Sequence, residues 1–288
     1  MKTGVSSYSF SKLLNKGKLN QFAMISKAKE MGFAVMEFSG LKVPQSEAAT
    51  SFAKKIKEKC ESTDIAVGNY TIGADFLKKD FSREVERLQK EVEIAAALGA
   101  TGIRHDATTG FSRNYQGVKS FETALPALVK GCRAVTEFAA DYGLKTMIEN
   151  HGFFCQDSLR VEKLVNEVNH SNFGVLLDIG NFLCVDENPV KATGRLLPYV
   201  FHVHVKDFHV KSGNEPAPGE GWFESRGGNY LRGAIVGQGN VPVMQCLRLV
   251  KKSGYNGVLS IEFEGMEEPL TGIKIGLANL NNYLNLLN

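Results

Sequence analysis

The sequence lacks the features that mark membrane, disulfide-rich and nucleic-acid-binding proteins. It contains no run of about 18 apolar residues, so no membrane span is predicted. The five cysteines are odd in number and form no CxxC pair, which favours reduced thiols in the cytoplasm over a disulfide framework. The formal net charge is only +3, and this small excess does not argue for nucleic acid or a membrane as a partner.

Two further motifs are absent near the amino terminus. The first residues contain no apolar stretch of the signal-peptide type, so we expect no leader and a cytoplasmic location. No GxGxxG motif follows the first predicted strand, which argues against an open dinucleotide-binding sheet. The chain does have 288 residues, of which 43% are hydrophobic and 23% are charged. We therefore expect one globular domain that covers residues 1–288.

Short apolar runs alternate with longer amphipathic stretches along the chain. Several apolar runs show no polar alternation, as expected for strands that are buried on both faces. Glycine follows four of the helical patterns, which is usual where a helix ends, and Asn188-Pro189 is typical of a helix start. The predicted strands cover 4–9, 34–39, 65–71, 101–106, 145–150, 174–179, 200–206 and 257–263. The predicted helices cover 20–31, 45–62, 81–98, 118–142, 158–168, 189–197, 243–253 and 267–286. Eight such repeats predict the α/β class and a (β/α)8 TIM barrel with a closed parallel sheet.

Residues 207–240 interrupt this alternation after the seventh predicted strand. The segment is rich in glycine and contains two prolines, together with the only tryptophan, Trp222, and the basic residues Arg226 and Arg232. It follows the carboxyl end of a strand, which is the end where barrel active sites form. We interpret it as a long loop that covers the substrate, with a packing or subunit-contact loop as the alternative.

Four predicted strands each end near one side chain that can bind a metal ion. These residues are Glu149, Asp178, His204 and Glu262. In a closed parallel barrel the four side chains converge at one mouth. Three carboxylates and one imidazole suit a single divalent cation. The alternative is that each carboxylate pairs with a Lys or Arg on a neighbouring strand, and Glu264 is an alternative ligand to Glu262.

Other polar residues near the same strand ends are candidates for substrate contact. His151 could exchange a proton with a substrate, or it could orient another group through a hydrogen bond. His202 lies deeper on the strand than His204 and could be a core histidine. The residues expected to bind substrate are Glu37, Arg104, Asn150, Asn181, Lys206, Trp222 and Arg232. His105 and Asp106 could also line the pocket.

Five stretches of the chain resemble the sugar phosphate isomerase/epimerase superfamily, also called the xylose isomerase-like TIM barrels or AP endonuclease family 2. They are Ile148-Glu149-Asn150-His151, Leu177-Asp178-Ile179-Gly180-Asn181, His202-Val203-His204-Val205-Lys206-Asp207, Gly237-Gln238-Gly239-Asn240-Val241-Pro242 and Ser260-Ile261-Glu262-Phe263-Glu264. The resemblance implies one divalent metal ion on Glu149, Asp178, His204 and Glu262, with manganese ahead of cobalt, zinc and magnesium. It also implies acid/base roles for Glu149 and Glu262 on opposite faces of the substrate.

The resulting functional prediction is a metal-dependent isomerase or epimerase of a small keto-sugar, polyol or inosose. Proton abstraction alpha to a carbonyl would give a metal-stabilised enediolate, with Glu149, Glu262 and His151 as catalytic groups. The alternative is a lyase that acts on the same intermediate, similar to an inosose dehydratase or a 3-oxo-glycoside deglycosylase.

Two other functions stay open at this stage. Asn181 stands where ketose 3-epimerases and endonuclease IV-type enzymes carry a histidine, which argues against a ketose 3-epimerase and against DNA repair. A non-catalytic binding protein is also compatible with the fold. We expect a small carbohydrate-like substrate and no nucleic-acid partner. A homo-oligomer is compatible with the resemblance, because family members are often dimers or tetramers.

Overall fold

The computed structural model describes residues 1–78 and 80–287. The barrel strands are β1 (Lys2–Ser6), β2 (Val35–Ser39), β3 (Ala66–Ile72), β4 (Gly102–His105), β5 (Lys145–Glu149), β6 (Phe173–Asp178), β7 (Val200–Val205) and, after three strands of an insertion, β11 (Val258–Ile261). Their spatial order is β1-β11-β7-β6-β5-β4-β3-β2, and every pairing is parallel. The chain therefore forms the predicted (β/α)8 TIM barrel, with β11 as the eighth barrel strand.

Helices surround the barrel. They are α1 (Ser11–Asn15), α2 (Gln21–Glu30), α3 (Ala49–Ser62), α4 (Phe81–Leu98), α5 (Phe121–Ala140), α6 (Ser158–Val168), α7 (Pro189–Leu196), α8 (Val243–Lys252) and α9 (Pro269–Leu287), with short 3-10 helices at Ser7–Phe10, Asn181–Val185 and Leu197–Tyr199. No helix among the described residues is long and apolar enough to cross a membrane.

Local signals place several helix ends where the sequence predicted them. At the start of α7 the side chain of Asn188 accepts a hydrogen bond from the backbone N–H of Lys191, and Pro189 follows it directly. At the end of α4, Gly99 adopts a φ of 75°, a left-handed conformation that glycine reaches without strain. Both helix ends thus follow from local chemistry.

The first strand is shorter than the sequence predicted. We expected a strand over 4–9, but β1 ends at Ser6 and residues 7–10 form a 3-10 helix. The hydroxyl of Ser6 accepts a hydrogen bond from the backbone N–H of Tyr8, and such a local bond competes with a strand ladder. The turn leads into α1, which the sequence patterns did not predict, and it places Tyr8 at the mouth of the barrel.

The segment 207–240 follows β7 as the predicted long insertion, and it contains short strands that the sequence did not predict. It forms a three-stranded antiparallel sheet of β8 (Asp207–Lys211), β9 (Phe223–Glu224) and β10 (Tyr230–Ala234). The carboxylate of Asp207 accepts backbone hydrogen bonds from Gly237, Gly239 and Val241, which fixes the returning chain. Strands this short, within a glycine-rich segment, carry no clear period-two pattern in the sequence.

Glu84 attaches the β3–α4 connection to α4. Its carboxylate accepts hydrogen bonds from the backbone of Asp75 and from Arg87, and the side chain is only 5% exposed. Burial raises the pKa of Glu84, but the hydrogen bond from Arg87, the Asp75 N–H and the charges of Arg87 and Lys78 outweigh it and lower the pKa to about 2. The ionised carboxylate therefore stabilises the fold.

We predict that Glu84→Gln lowers the free energy of unfolding by about 1–2 kcal/mol at pH 7. A lowered folded-state pKa stabilises above the unfolded value of 4.5, and this stability is lost as the pH falls towards 2. Urea titrations should therefore show a difference in the free energy of unfolding between wild type and variant, and this difference should become smaller below pH 4.5. Glu86→Gln, on an exposed part of the same helix, is the control. A difference that is constant with pH would contradict this account.

Candidate metal centre and active site

The four predicted metal ligands meet at the carboxyl end of the barrel. Glu149 and Asp178 are the last residues of β5 and β6, His204 lies in β7, and Glu262 directly follows β11. One ligand atom from each lies within 4.8 Å of all the others. The Nδ1 atom of His204 lies 3.6 Å from Glu149 Oε1, 3.9 Å from Asp178 Oδ2 and 3.7 Å from Glu262 Oε1. The fold thus assembles one cluster from four separate strands.

Two atoms of this cluster have unused bonding capacity. Among the described residues, His204 Nδ1 and Asp178 Oδ2 are buried without a hydrogen-bond partner. Buried polar atoms are nearly always paired, because leaving one unpaired costs free energy. Ligand atoms held about 2.1 Å from one cation lie roughly 3.0–3.4 Å apart, slightly closer than the separations around His204 Nδ1. The donor set and its two unpaired atoms therefore fit a divalent cation after small side-chain movements.

Glu37 fixes the orientation of the His204 ring. Its Oε1 lies 2.6 Å from His204 Nε2, and its Oε2 lies 3.1 Å from His202 Nε2. Burial raises the pKa of Glu37, but the charges of His204 and His202 outweigh it and lower the pKa to about 2. Engaging Nε2 leaves Nδ1 facing the carboxylates, as is usual for metal-binding histidines. The structure thus places Glu37 behind the predicted ligands, and the residue is fully buried.

Asp178 is held by the backbone around it. Its Oδ1 accepts hydrogen bonds from the N–H groups of Gly180 and Asn181, at 2.8 and 3.0 Å. The amide of Asn150 bonds to both backbone polar groups of Asp178, at 2.8 and 2.9 Å. Burial raises the pKa of Asp178 to about 6, although the charge of Lys206 acts against it. Asn150, predicted to bind substrate, is fully buried and joins β5 to β6.

Arg104 joins Glu149 to a second carboxylate. Its Nη2 lies 2.6 Å from Glu149 Oε2 and 3.0 Å from Asp106 Oδ1. Burial raises the pKa of Glu149, but the charges of Arg104 and His204 outweigh it and hold the pKa well below its ordinary value. Asn181 also donates from Nδ2 to Glu149 Oε1 at 3.1 Å. Glu149 is therefore kept ionised and oriented.

His151 stands at the surface of the site with Asp106 beside it. Its Nδ1 lies 3.0 Å from Asp106 Oδ1, and 47% of its side chain is exposed. Desolvation lowers the pKa of His151, but the hydrogen bond to Asp106 and the nearby negative charges outweigh it and raise the pKa. The pair leaves Nε2 of His151 as the ring atom available to a ligand.

Lys206 is buried among the carboxylates. Its Nζ lies 2.6 Å from Glu262 Oε2 and 3.5 Å from Asp178 Oδ2, and it donates to Asn181 Oδ1 at 3.2 Å. Burial lowers the pKa of Lys206, but the charges of Glu262, Glu264 and Asp178 raise it well above the ordinary value. The ammonium group partly balances the negative charge of the cluster.

These side chains border a cavity of about 280 Å³ at the barrel mouth. Its lining residues are Tyr8, Ser39, Thr71, Arg104, Glu149, His151, Lys206, Glu262 and Glu264. The structure thus brings together Arg104, Glu149, His151, Lys206 and Glu262 as the sequence predicted. Tyr8, Ser39 and Thr71 were missed. Ser39 and Thr71 are the last residues of two predicted strands, and that position could have identified them.

The insertion does not reach this cavity in the described ranges. The ring of Trp222 lies 5.5 Å from the guanidinium carbon of Arg232 and 5.8 Å from Lys211 Nζ. Arg232 Nη2 is 3.9 Å from Glu267 Oε1. The structure therefore places Trp222 and Arg232 together beside the chain that follows β11, and not among the predicted metal ligands.

His105 also lies outside the cavity, although it neighbours Arg104 on β4. Successive residues of a strand point to opposite faces, so His105 packs between the rings of Phe76 and Phe173. Burial lowers its pKa to about 4. His105 is therefore a buried packing residue and does not line the cavity.

Sequence comparison assigns the chain to a family. The family model described as xylose isomerase-like TIM barrel matches residues 25–283, so the chain belongs to that family. A curated relative, an inosose dehydratase from Clostridium botulinum, is 24% identical over 144 residues, which is 48% of this chain and 46% of the relative. The chain spans about half the length of the first curated relatives that it matches.

Two solved structures extend the similarity over the whole fold. A probable 3-DHS dehydratase from Bacillus anthracis superposes with a TM-score of 0.74 at 20% identity, covering 98% of this chain and 99% of that protein. The 3-keto-D-glucoside 4-epimerase from E. coli superposes with a TM-score of 0.72 at 16% identity, covering 98% and 99%. At these identities the superpositions show a common fold.

Proposed function

We propose that the protein is a divalent-metal-dependent isomerase or epimerase of a small keto-sugar, polyol or inosose. The observation that carries the proposal is a pair of buried atoms, Asp178 Oδ2 and His204 Nδ1, that have no hydrogen-bond partner among the described residues and lie between Glu149 and Glu262. These four residues would hold the cation, with manganese as the first candidate. The 280 Å³ cavity above them has room for a small carbohydrate-like substrate.

When bound, the cation would act as a Lewis acid towards a substrate carbonyl and lower the barrier to removing the adjacent proton. Glu149 and Glu262 both line the cavity and supply carboxylate oxygens that can accept and return that proton. Arg104 keeps Glu149 ionised for this role, and Lys206 Nζ lies 2.6 Å from Glu262 Oε2. His151, oriented by Asp106, is available through Nε2 to exchange a proton with a substrate hydroxyl.

The second candidate is a lyase that starts from the same proton abstraction. Two similar proteins are described as dehydratases. The half-exposed His151 with Asp106 behind it supplies a group that could protonate a departing hydroxyl. The two candidates differ in the product, because an isomerase keeps the mass of its substrate and a dehydratase lowers it by one water.

The experiment is incubation of the manganese-loaded protein with a panel of ketoses and inososes in D₂O, followed by mass spectrometry. We expect deuterium at a carbon beside the carbonyl, and the product mass then separates isomerisation from dehydration. His151→Asn should lower turnover by about 10²–10⁴-fold. His170→Asn, in the loop between α6 and β6 at the opposite end of the barrel, should not change it. Absence of exchange across the panel with a metal-loaded protein would contradict the proposal.

A further inference from the structure

The turn between β9 and β10 docks on the connection between β6 and α7. The side chains of Ser225 and Asn229 donate hydrogen bonds to Asp186 Oδ1, each at 2.7 Å. Between them, the backbone N–H of Arg226 donates to the carbonyl of Cys184 at 2.8 Å. The turn is therefore anchored on both sides of Arg226, and the Arg226 side chain starts from a fixed backbone.

The side chain of Arg226 crosses to the loop between β5 and α6. Its Nη1 donates to Asp157 Oδ2 at 3.0 Å, and its Nη2 donates to the backbone carbonyl of Phe153. Asp157 also caps α6, because its side chain accepts a hydrogen bond from the backbone N–H of Arg160. The guanidinium therefore joins both ends of the segment 153–157 to the insertion.

This loop contains two consecutive residues in the left-handed conformation. The φ angles are 79° at Gly152 and 63° at Phe153, and a residue with a Cβ keeps such an angle only where its surroundings hold it. Phe153 is 43% exposed, so packing of its ring contributes little. Its backbone N–H donates to Gln156 Oε1 and its carbonyl accepts from Arg226. Arg226 thus supplies one of two side-chain contacts that hold the Phe153 backbone.

His151 lies directly before this turn. Asn150, which precedes it, is fully buried and bonds to the backbone of β6, so the chain is fixed on that side. The backbone of His151 also forms a β-bridge with Cys155, on the far side of the turn. A rearrangement of Phe153 would therefore be transmitted to His151 and would move its ring relative to Asp106, whose Oδ1 lies 3.0 Å from His151 Nδ1.

We infer that Arg226 is a positioning residue for His151, and that one role of the insertion is to hold the loop that carries this histidine. Arg226 acts through the backbone of Phe153 and the turn at 152–155, and not through contact with the substrate. The inference rests on the proposed function, because it takes His151 as a group that exchanges a proton with the substrate.

Arg226→Met tests this role, since it removes the hydrogen-bond donors and keeps a side chain of similar shape. On the manganese-loaded protein, with the substrate identified by the deuterium panel, kcat should fall about 10–100-fold while KM changes less than about twofold. In a His151→Asn background the same change should cause no further loss, because its effect passes through that ring. Arg248→Met, at an exposed position of α8, is the control and should leave kcat unchanged.

Hydrogen–deuterium exchange measured by mass spectrometry tests the contact without a substrate. In Arg226→Met the peptide that covers residues 150–157 should exchange at least about fivefold faster, while peptides from α5 exchange as in wild type. Acceleration throughout the protein would show a general loss of stability and would contradict a positioning role. Arg248→Met should match wild type in every peptide.

Three further outcomes would overturn the inference. They are an unchanged kcat or an unchanged loop exchange in Arg226→Met, a further loss of kcat in the His151→Asn background, and weaker manganese binding by Arg226→Met in calorimetric titration. The last would place the effect at the metal ligands. Absence of turnover in the wild type would instead remove the proposed function, and the exchange of peptide 150–157 would still decide whether Arg226 holds the loop.

Discussion

Asp178→Asn should weaken manganese binding by about 100-fold or more and abolish deuterium exchange into a keto substrate. The change is isosteric, so Oδ1 can keep its hydrogen bonds to the N–H groups of Gly180 and Asn181. An amide NH₂ group replaces Oδ2, which accepts no hydrogen bond from the described residues, and cannot serve as a metal ligand. In metalloproteins, substitution of a residue that hydrogen-bonds to a metal ligand typically lowers metal affinity about 10–100-fold, and the loss of a direct ligand costs more.

The control for this prediction is Asp141→Asn. Asp141 is an exposed residue that directly follows α5, at the opposite end of the barrel, and the substitution removes the same charge. Manganese affinity should match wild type in the control. Calorimetric titration with manganese measures both variants, and circular dichroism confirms that each is folded. Unchanged affinity in a folded Asp178→Asn protein would contradict the assignment of Asp178 as a ligand.

Arg104→Met should lower the free energy of unfolding by about 3–5 kcal/mol, which is the usual cost of removing one partner from a buried ion pair. Arg104 is 6% exposed and contacts Glu149 and Asp106. Without the guanidinium, both carboxylates remain in a poorly hydrated site and repel each other. The methionine fills a similar volume, so the loss reports the missing charge more than a cavity.

The measurement for Arg104→Met is urea unfolding at pH 7 with and without manganese. Arg83→Met, on an exposed part of α4, is the control and should change the free energy by less than about 0.5 kcal/mol. Excess manganese should recover part of the loss in Arg104→Met, because a bound cation offsets the charge of Glu149. A loss as small as that of the control would show that Arg104 does not hold the carboxylates in place.

The barrel and the convergence of four side chains were predictable because both follow from local patterns. Apolar runs that end in Glu149, Asp178 and His204 identify strands and their ends at once. Residues at the carboxyl ends of parallel strands share one mouth whatever the details of packing. This holds whichever strands are neighbours, so the convergence could be predicted without knowledge of the tertiary structure.

The roles of Asn150 and Glu37 were not predictable by this reasoning. Each lies near a strand end, yet each is fully buried and bonds to a neighbouring or distant strand, Asn150 to the backbone of Asp178 and Glu37 to His204. Period-two alternation gives the face of a side chain but not the atoms opposite it, because those depend on the register between strands. Their contact with substrate stays a prediction, while the structure shows them positioning Asp178 and His204.

The short strands inside the insertion were not predicted for a related reason. Strands β9 and β10 pair across the turn at 225–229. Ser225 and Asn229 of this turn donate hydrogen bonds to Asp186, which lies outside the insertion. Such tertiary contacts leave no periodic signal in a glycine-rich sequence. Tyr8 was missed because the expected strand over 4–9 hid the turn that places it at the mouth.

The central claim is that Glu149, Asp178, His204 and Glu262 hold one divalent cation. Elemental analysis of the purified wild-type protein after equilibration with manganese and removal of the excess tests it most directly. We predict close to one metal ion per chain, retained on dilution and lost in Asp178→Asn. A wild-type protein that retains no manganese, cobalt, zinc or magnesium under these conditions would contradict the claim and leave the four residues as a buried polar cluster.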